Sequence, residues 1–147
     1  MDGPVKYRPM VIDDYEGAAS LWRSDVGVQL RDSDSKTYVD GFLKRNLKTS
    51  FIAYIDERII GVAMAGYDGR RGYLYHLAVD KDFRHRGVGK TLVGLVTDAL
   101  EKVGMHKTLA LVLQNNESAK EFWKALGWKT LEDLLVFERT TPGQPNA

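Results

Sequence analysis

The chain has 147 residues, 44% hydrophobic and 28% charged, which suits one globular domain with a single sizeable core. Its 21 basic and 20 acidic side chains leave a net charge of +1, which argues against a dedicated nucleic-acid binder. It has no cysteine, so disulfides, thiolate metal sites and a cysteine nucleophile are excluded; no apolar run approaches a membrane span, the N-terminus carries no apolar signal core, and a cytoplasmic protein without membrane contact or a metal is expected.

Residues 5–11 read as a first strand. Asp13 or Asp14 then caps a helix to about Arg23, with Ala18, Leu21 and Trp22 on its apolar face. A loop through Gly27 leads to a second helix over 34–47, where Tyr38, Val39, Phe42, Leu43 and Leu47 recur at helical spacing. Strands follow over 50–55 and 59–67, joined by Asp56-Glu57-Arg58. Asp68-Gly69 signals a hairpin into a strand over 73–79. A long helix spans 87–103, ended by Gly104 as a left-handed terminator. A strand over 108–113, a helix over 117–126 and a closing hairpin over 128–131 and 134–138 complete the domain, 1–139. The tail, 140–147, has the composition of a disordered end. Hairpins combined with one βαβ crossover predict an α/β protein (α+β) with a mixed sheet.

The most informative stretch is Leu77 to Val93. An apolar strand enters a short charged loop, and Gly87 and Gly89 then open the long helix. The first N–H groups of a helix have no internal partner and carry the positive end of its dipole, to which Arg84, Arg86 and Lys90 add full charges. This is a cradle for a pyrophosphate. A P-loop needs a glycine where Arg84 stands, despite Gly89-Lys90-Thr91. A dinucleotide fingerprint needs a third glycine where Leu92 stands.

The pattern present is Arg-x-x-Gly-x-Gly after Leu-Ala-Val, and it resembles the acyl-CoA signature of the GNAT N-acetyltransferases. A second block from Asn115 to Trp128, with Asn116, Ala119, Phe122, Trp123 and Gly127, is similar to the superfamily's Asn-x-x-Ala-x-x-Phe-Tyr-x-x-x-Gly-Phe. The turn from Gly66 to Gly72 and the Phe-Trp form of that block resemble one bacterial subfamily of small members. The resemblance implies the acyl-CoA N-acyltransferase fold, a central mixed sheet of six to seven strands with about four helices. It implies acetyl-CoA as co-substrate, without a metal, and an amine acceptor, small molecule or peptide. It implies direct transfer in a ternary complex, by a monomer or homodimer. Backbone groups of Leu77, Ala78 and Val79 would hold the pantetheine arm. The segment Arg84, His85, Arg86, Gly87, Val88, Gly89 and Lys90 would hold the pyrophosphate, and Asn116 and Trp123 would flank the thioester arm.

Acetyl transfer needs a neutral amine, a donor for the developing oxyanion and a proton for the leaving thiolate. The family's usual acid is the tyrosine of Phe-Tyr, where this chain has Trp123, whose indole N–H is not an acid. Trp123 walls the thioester or packs in the core; the departure leaves a silent CoA-binding module as the alternative. Period-2 alternation places Tyr73 and Tyr75 on one strand face and His76 on the other. A water-mediated relay through Tyr75 is therefore expected rather than a single base, with His76 structural. Asp68 belongs to its turn, His85 faces phosphate or solvent, and His106 is a surface residue. The acidic side chains Asp25, Asp32 and Asp34 beside Arg31 mildly favour a cationic acceptor.

Overall fold

A computed structural model describes residues 3–144. Five strands form one sheet in the order of their sequence: β1 (Lys6–Pro9), β2 (Phe51–Ile55), β3 (Arg58–Tyr67), β4 (Gly72–Val79) and β5 (Thr108–Ala110). The first three pairings are antiparallel and β4–β5 is parallel. The parallel step requires a crossover, and the helix α3 (Val88–Lys102) supplies it. The helices α1 (Tyr15–Ser24) and α2 (Lys36–Arg45) precede β2, and α4 (Glu117–Ala125) follows β5.

The sheet separates two apolar layers. On one face Val88, Leu92, Val93, Val96 and Leu100 of α3 meet Ala63, Ala65 and Leu74, with Phe122 and Trp123 of α4 and Leu126 just past its end alongside. On the other face Ala18, Ala19, Leu21 and Trp22 of α1 and Val39 and Leu43 of α2 meet Ile52, Val62, Met64 and Ala78. Each fully buried Val, Leu or Ile contributes about 1.5–3 kcal/mol, so these layers carry the fold. Asn46, just past α2, accepts the Tyr67 N–H at Oδ1, which holds the end of α2 over β3.

Three expectations need correction. Asp14 does not cap α1 through its side chain. Its carboxylate instead takes a bidentate pair from Arg8 (2.8 Å to each oxygen) and the Val11 N–H, leaving a 3-10 turn over Ile12–Asp14 to start the helix. The closing hairpin over 128–131 and 134–138 is not formed, so the described residues contain five strands rather than six or seven. β5 presents only three ladder residues, too short an edge for a further pair, and Leu135, Val136 and Phe137 lie exposed.

The third correction concerns β4. Tyr75 opposes Met64 and Ala78 opposes Val62, so two residues of β4, His76 and Leu77, face Ala63 alone. This is a β-bulge, and His76 takes a positive φ of 48° within it. The extra residue shifts the alternation. Tyr75 and His76 therefore point to the same layer, Tyr75 against Phe42 of α2 and His76 against Trp22 of α1. The expected tail lies partly outside the described residues, at 145–147.

Candidate active site

The cleft begins where β4 and β5 part. Their ladder pairs Gly72, Tyr73 and Leu74 with Thr108, Leu109 and Ala110, and no further. Beyond Leu74 the strand β4 continues to Val79 without β5, which leaves one side of Leu77 to Val79 without a strand partner. An extended ligand can lie there as a strand would. The divergence opens onto the N-terminus of α3.

That N-terminus is shaped as the sequence predicts. Gly87 caps α3 with φ 81°, a conformation that L side chains rarely adopt, and an added Cβ there would meet nothing within 4 Å. His85 also has a positive φ, 61°, so the loop coils tightly before the helix. Arg84, His85, Arg86 and Lys90 are exposed around it, while Val88 is buried as an anchor. The guanidinium of Arg86 lies 5.3 Å from the Phe83 ring centre. Gly89 has a packing reason of its own to lack a side chain. A Cβ on it would stand 3.1 Å from Phe122, so Gly89 lets α4 close on α3.

Arg84 turns inward. Its Nε donates to the Val79 carbonyl at 3.1 Å, and its terminal nitrogen lies 3.7 Å from Asp25. Asp25 also accepts the Gly27 N–H, and Gly27 abuts the Asn116 side-chain amide. The segment joining α1 to α2 therefore reaches across the gap from the cradle loop to α4. Asn116 caps α4, its Oδ1 accepting from the Ala119 N–H (3.1 Å) and the Ser118 hydroxyl (3.2 Å). Its Nδ2, the end that meets Gly27, is left as a donor.

Trp123 and Tyr75 lie in opposite layers. Trp123 sits between Phe122 (5.1 Å) and Trp128 (4.4 Å) in the α3–α4 layer, the layer that Leu77 and Val79 also pack against. Tyr75 stacks on Tyr73 at 6.3 Å and meets Phe42 edge-on at 5.9 Å. Burial, with the charges of Tyr73 and Asp68, pushes the Tyr75 phenol above its usual pKa, so it is a neutral hydrogen-bond donor rather than a base. A groove of about 520 Å³ adjoins it, lined by Ser33, Tyr38, Phe42, Arg45 and Met64. A larger cavity of about 570 Å³, by Arg8, Tyr54 and Glu57, touches none of the cradle residues.

The acidic loop is already engaged. Asp25 faces Arg84, and Asp34 accepts a hydrogen bond from the His76 ring at 2.6 Å and the Arg31 N–H at 2.9 Å. Its mild preference for a cationic acceptor thus loses its main support. Asp68 accepts the Arg70 and Arg71 N–H groups within its turn, as the sequence suggests. His106 is exposed. The His76–Asp34 pair is the feature that sequence reading missed. Its two members are 42 residues apart, and nothing local announces the bulge that joins them.

A model of the Acetyltransferase (GNAT) family matches residues 15–128, which takes in the cradle, the cleft and the second block. The chain belongs to this family and is an acetyltransferase. An acetyltransferase of Pectobacterium atrosepticum is 30% identical over 129 residues, covering 86% of this chain and 89% of its own. Among solved structures, the aminoglycoside N-acetyltransferase AAC(6')-Iy in complex with CoA superposes with a TM-score of 0.73 at 21% identity, over 96% of this chain and 98% of that one. A ribosomal-protein-alanine N-acetyltransferase from Brucella melitensis biovar Abortus 2308 gives 0.69 at 18%, over 94% and 100%. At these identities the two structures share its fold. Among the described residues no helix is long and apolar enough to cross a membrane.

Proposed function

We propose that the chain transfers the acetyl group of acetyl-CoA to a primary amine by direct attack in a ternary complex. The observation that carries this reading is the parting of β4 from β5 just beyond Leu74, opening onto an α3 N-terminus capped by Gly87 and ringed by Arg84, Arg86 and Lys90. The backbone of Leu77, Ala78 and Val79 along the gap holds the pantetheine arm, which competes with Arg84 for the Val79 carbonyl and is joined by Asn116 Nδ2. The N–H groups from Arg86 to Lys90, with the nearby His85, take the pyrophosphate, since unpaired helix N–H groups and positive charge coincide there. Trp123 walls the thioester end from the α4 side. Tyr75, a neutral phenol, relays a proton toward the departing thiolate. The acceptor lies on the α1–α2 side, along the groove by Phe42 and Met64.

The neighbours named above act on an aminoglycoside and a ribosomal-protein alanine, and both amine classes belong in the test. The experiment is calorimetry with CoA and dephospho-CoA, followed by thiol release from acetyl-CoA with spermidine, an aminoglycoside, lysine-bearing peptides and an alanine-terminated peptide. Micromolar CoA binding and amine-dependent thiol release are expected. Binding without release for any amine would establish the silent module that Trp123, in place of an acid, makes the rival.

A further inference from the structure

The bulge in β4 builds something that strand alternation alone would forbid. His76 carries a positive φ, which is uncommon for a residue other than glycine and persists only where the surroundings over-determine it. Here the surroundings are two groups. The ring packs on Trp22 with 5.2 Å between centres, and its Nε2 meets Asp34 Oδ1 at 2.6 Å. Asp34 is held in turn by the Arg31 N–H on its second oxygen, while its carbonyl accepts the Tyr15 hydroxyl at 2.8 Å. Both members are largely buried, with 19% and 11% of the side-chain surface exposed.

The hydrogen-bond chemistry assigns the tautomer. An ionised carboxylate only accepts, so the hydrogen in this contact belongs to His76 Nε2. The neutral ring then presents a lone pair at Nδ1, which makes no hydrogen bond among the described residues. This lone pair lies on the same side of the sheet as Tyr75, two positions past the last β4–β5 rung at Leu74. From Val79 to His76 the strand covers about 10 Å, so an extended arm entering at the cradle ends near the bulge.

We propose that His76, oriented by Asp34, takes the proton from the acceptor amine. The proposal rests on the acetyl-transfer reading and supplies its missing base. An acceptor arriving as an ammonium first loses one proton to His76 Nδ1, which passes it to solvent. The neutral amine nitrogen then attacks the thioester carbonyl carbon. The C–N bond forms, the carbonyl re-forms and the C–S bond breaks, with its electron pair leaving on the CoA sulfur as thiolate. The amide nitrogen gives its surplus proton to His76 Nδ1, the thiolate takes one from water through Tyr75, and the proton on His76 neutralises the hydroxide left, which returns the ring to its neutral form. The products are the N-acetylated acceptor and CoA thiol. Asp34 is a positioning residue. It fixes the tautomer and stabilises the imidazolium, as a buried carboxylate does in a catalytic triad. The titratable groups packed around the ring are Asp34 with its Arg31 neighbour, Tyr15 from α1, and Tyr75 with Tyr73 on the same strand.

The test uses the full chain with acetyl-CoA and whichever of the named amines the wild-type protein acetylates. His76→Ala and His76→Gln should lower kcat by roughly 10²–10⁴-fold, leave CoA affinity by calorimetry intact, and remove the acidic limb of the pH–rate profile. Asp34→Asn should lower kcat by roughly tenfold or more with KM for acetyl-CoA unchanged, and should displace that limb. If these variants fail to fold, the wild type still decides: the His76 ring, followed by NMR in the CoA complex, must titrate at the pH where the kinetic limb falls. Folded His76 variants with an unchanged profile, or a ring titration apart from the limb, would overturn the proposal and leave the pair a structural tie. Absence of thiol release with every amine in the wild type would instead sink the acetyl-transfer reading, and the dyad with it.

Discussion

Arg84 and Arg86 carry the same charge into the same loop, yet the structure gives them different starting points. Arg86 lies over the Phe83 ring, whereas Arg84 already donates to the Val79 carbonyl and faces Asp25. Arg86→Ala should therefore weaken CoA binding by the full worth of a charge-assisted hydrogen bond, about 1.5–3 kcal/mol. Arg84→Ala should weaken it less, because the same change frees a carbonyl that the pantetheine arm can use. Calorimetry on both variants checks the order; a larger loss for Arg84 would contradict it. Gly87 poses a conformational test. With φ at 81° and open space around it, alanine meets no clash and only the left-handed penalty remains. Gly87→Ala should cost about 1–2 kcal/mol of stability, read as a lowered denaturant midpoint at constant slope.

Between helices the decisive contact is Gly89 against Phe122. Because the missing Cβ sits 3.1 Å from that ring, α3 and α4 pack closely at the mouth of the cleft. Gly89→Leu should push α4 away and weaken CoA binding and stability together. The double variant with Phe122→Ala should recover part of both, since the ring that blocks the new side chain is gone. Independent, additive losses in the double-mutant cycle would show that the two residues do not share the contact. A Phe122→Ala cost below the ~3–5 kcal/mol of a fully buried ring is expected, because Phe122 is only half-buried.

Across the protein, acid stability follows from its paired carboxylates. For Asp34, burial pulls the pKa up, but the hydrogen bonds from His76 and the Arg31 N–H and the His76 charge outweigh it, and the group ends below its usual 3.8. For Asp80, burial again opposes, and the Asp82 N–H with Arg58 prevails. A depressed folded pKa means that the unfolded chain binds the proton first. Stability from these groups is present above the unfolded value, about pH 4, and is lost as pH falls through the folded values. Thermal midpoints should hold from pH 7 to about 5 and drop below about 4. Asp34→Asn should flatten part of that drop; an unchanged slope would show that Asp34 is not among its causes.

How much of this was legible in the residues depends on how local the cause is. Gly87 and Gly89 before an apolar period, the Asp68-Gly69 turn, and Gly104 ending α3 with φ 90° are local, and the sequence alone determined the βαβ crossover, the glycine-capped start of α3 and the family resemblance. It also placed Asn116 at the head of α4, although not its capping bonds. The side of the sheet that His76 faces was decided elsewhere. Alternation holds only while two strands stay in register, and the slip against Ala63 is a property of the β3–β4 pair and of Trp22 and Asp34 waiting on one side. The same holds for Asp14, drawn from its helix cap by Arg8 on β1, and for residues 134–137, whose strand-like composition finds only a three-residue edge. Periodicity reports what a segment prefers; a partner distant in sequence decides whether it is satisfied, and only tertiary contact brings that partner within reach.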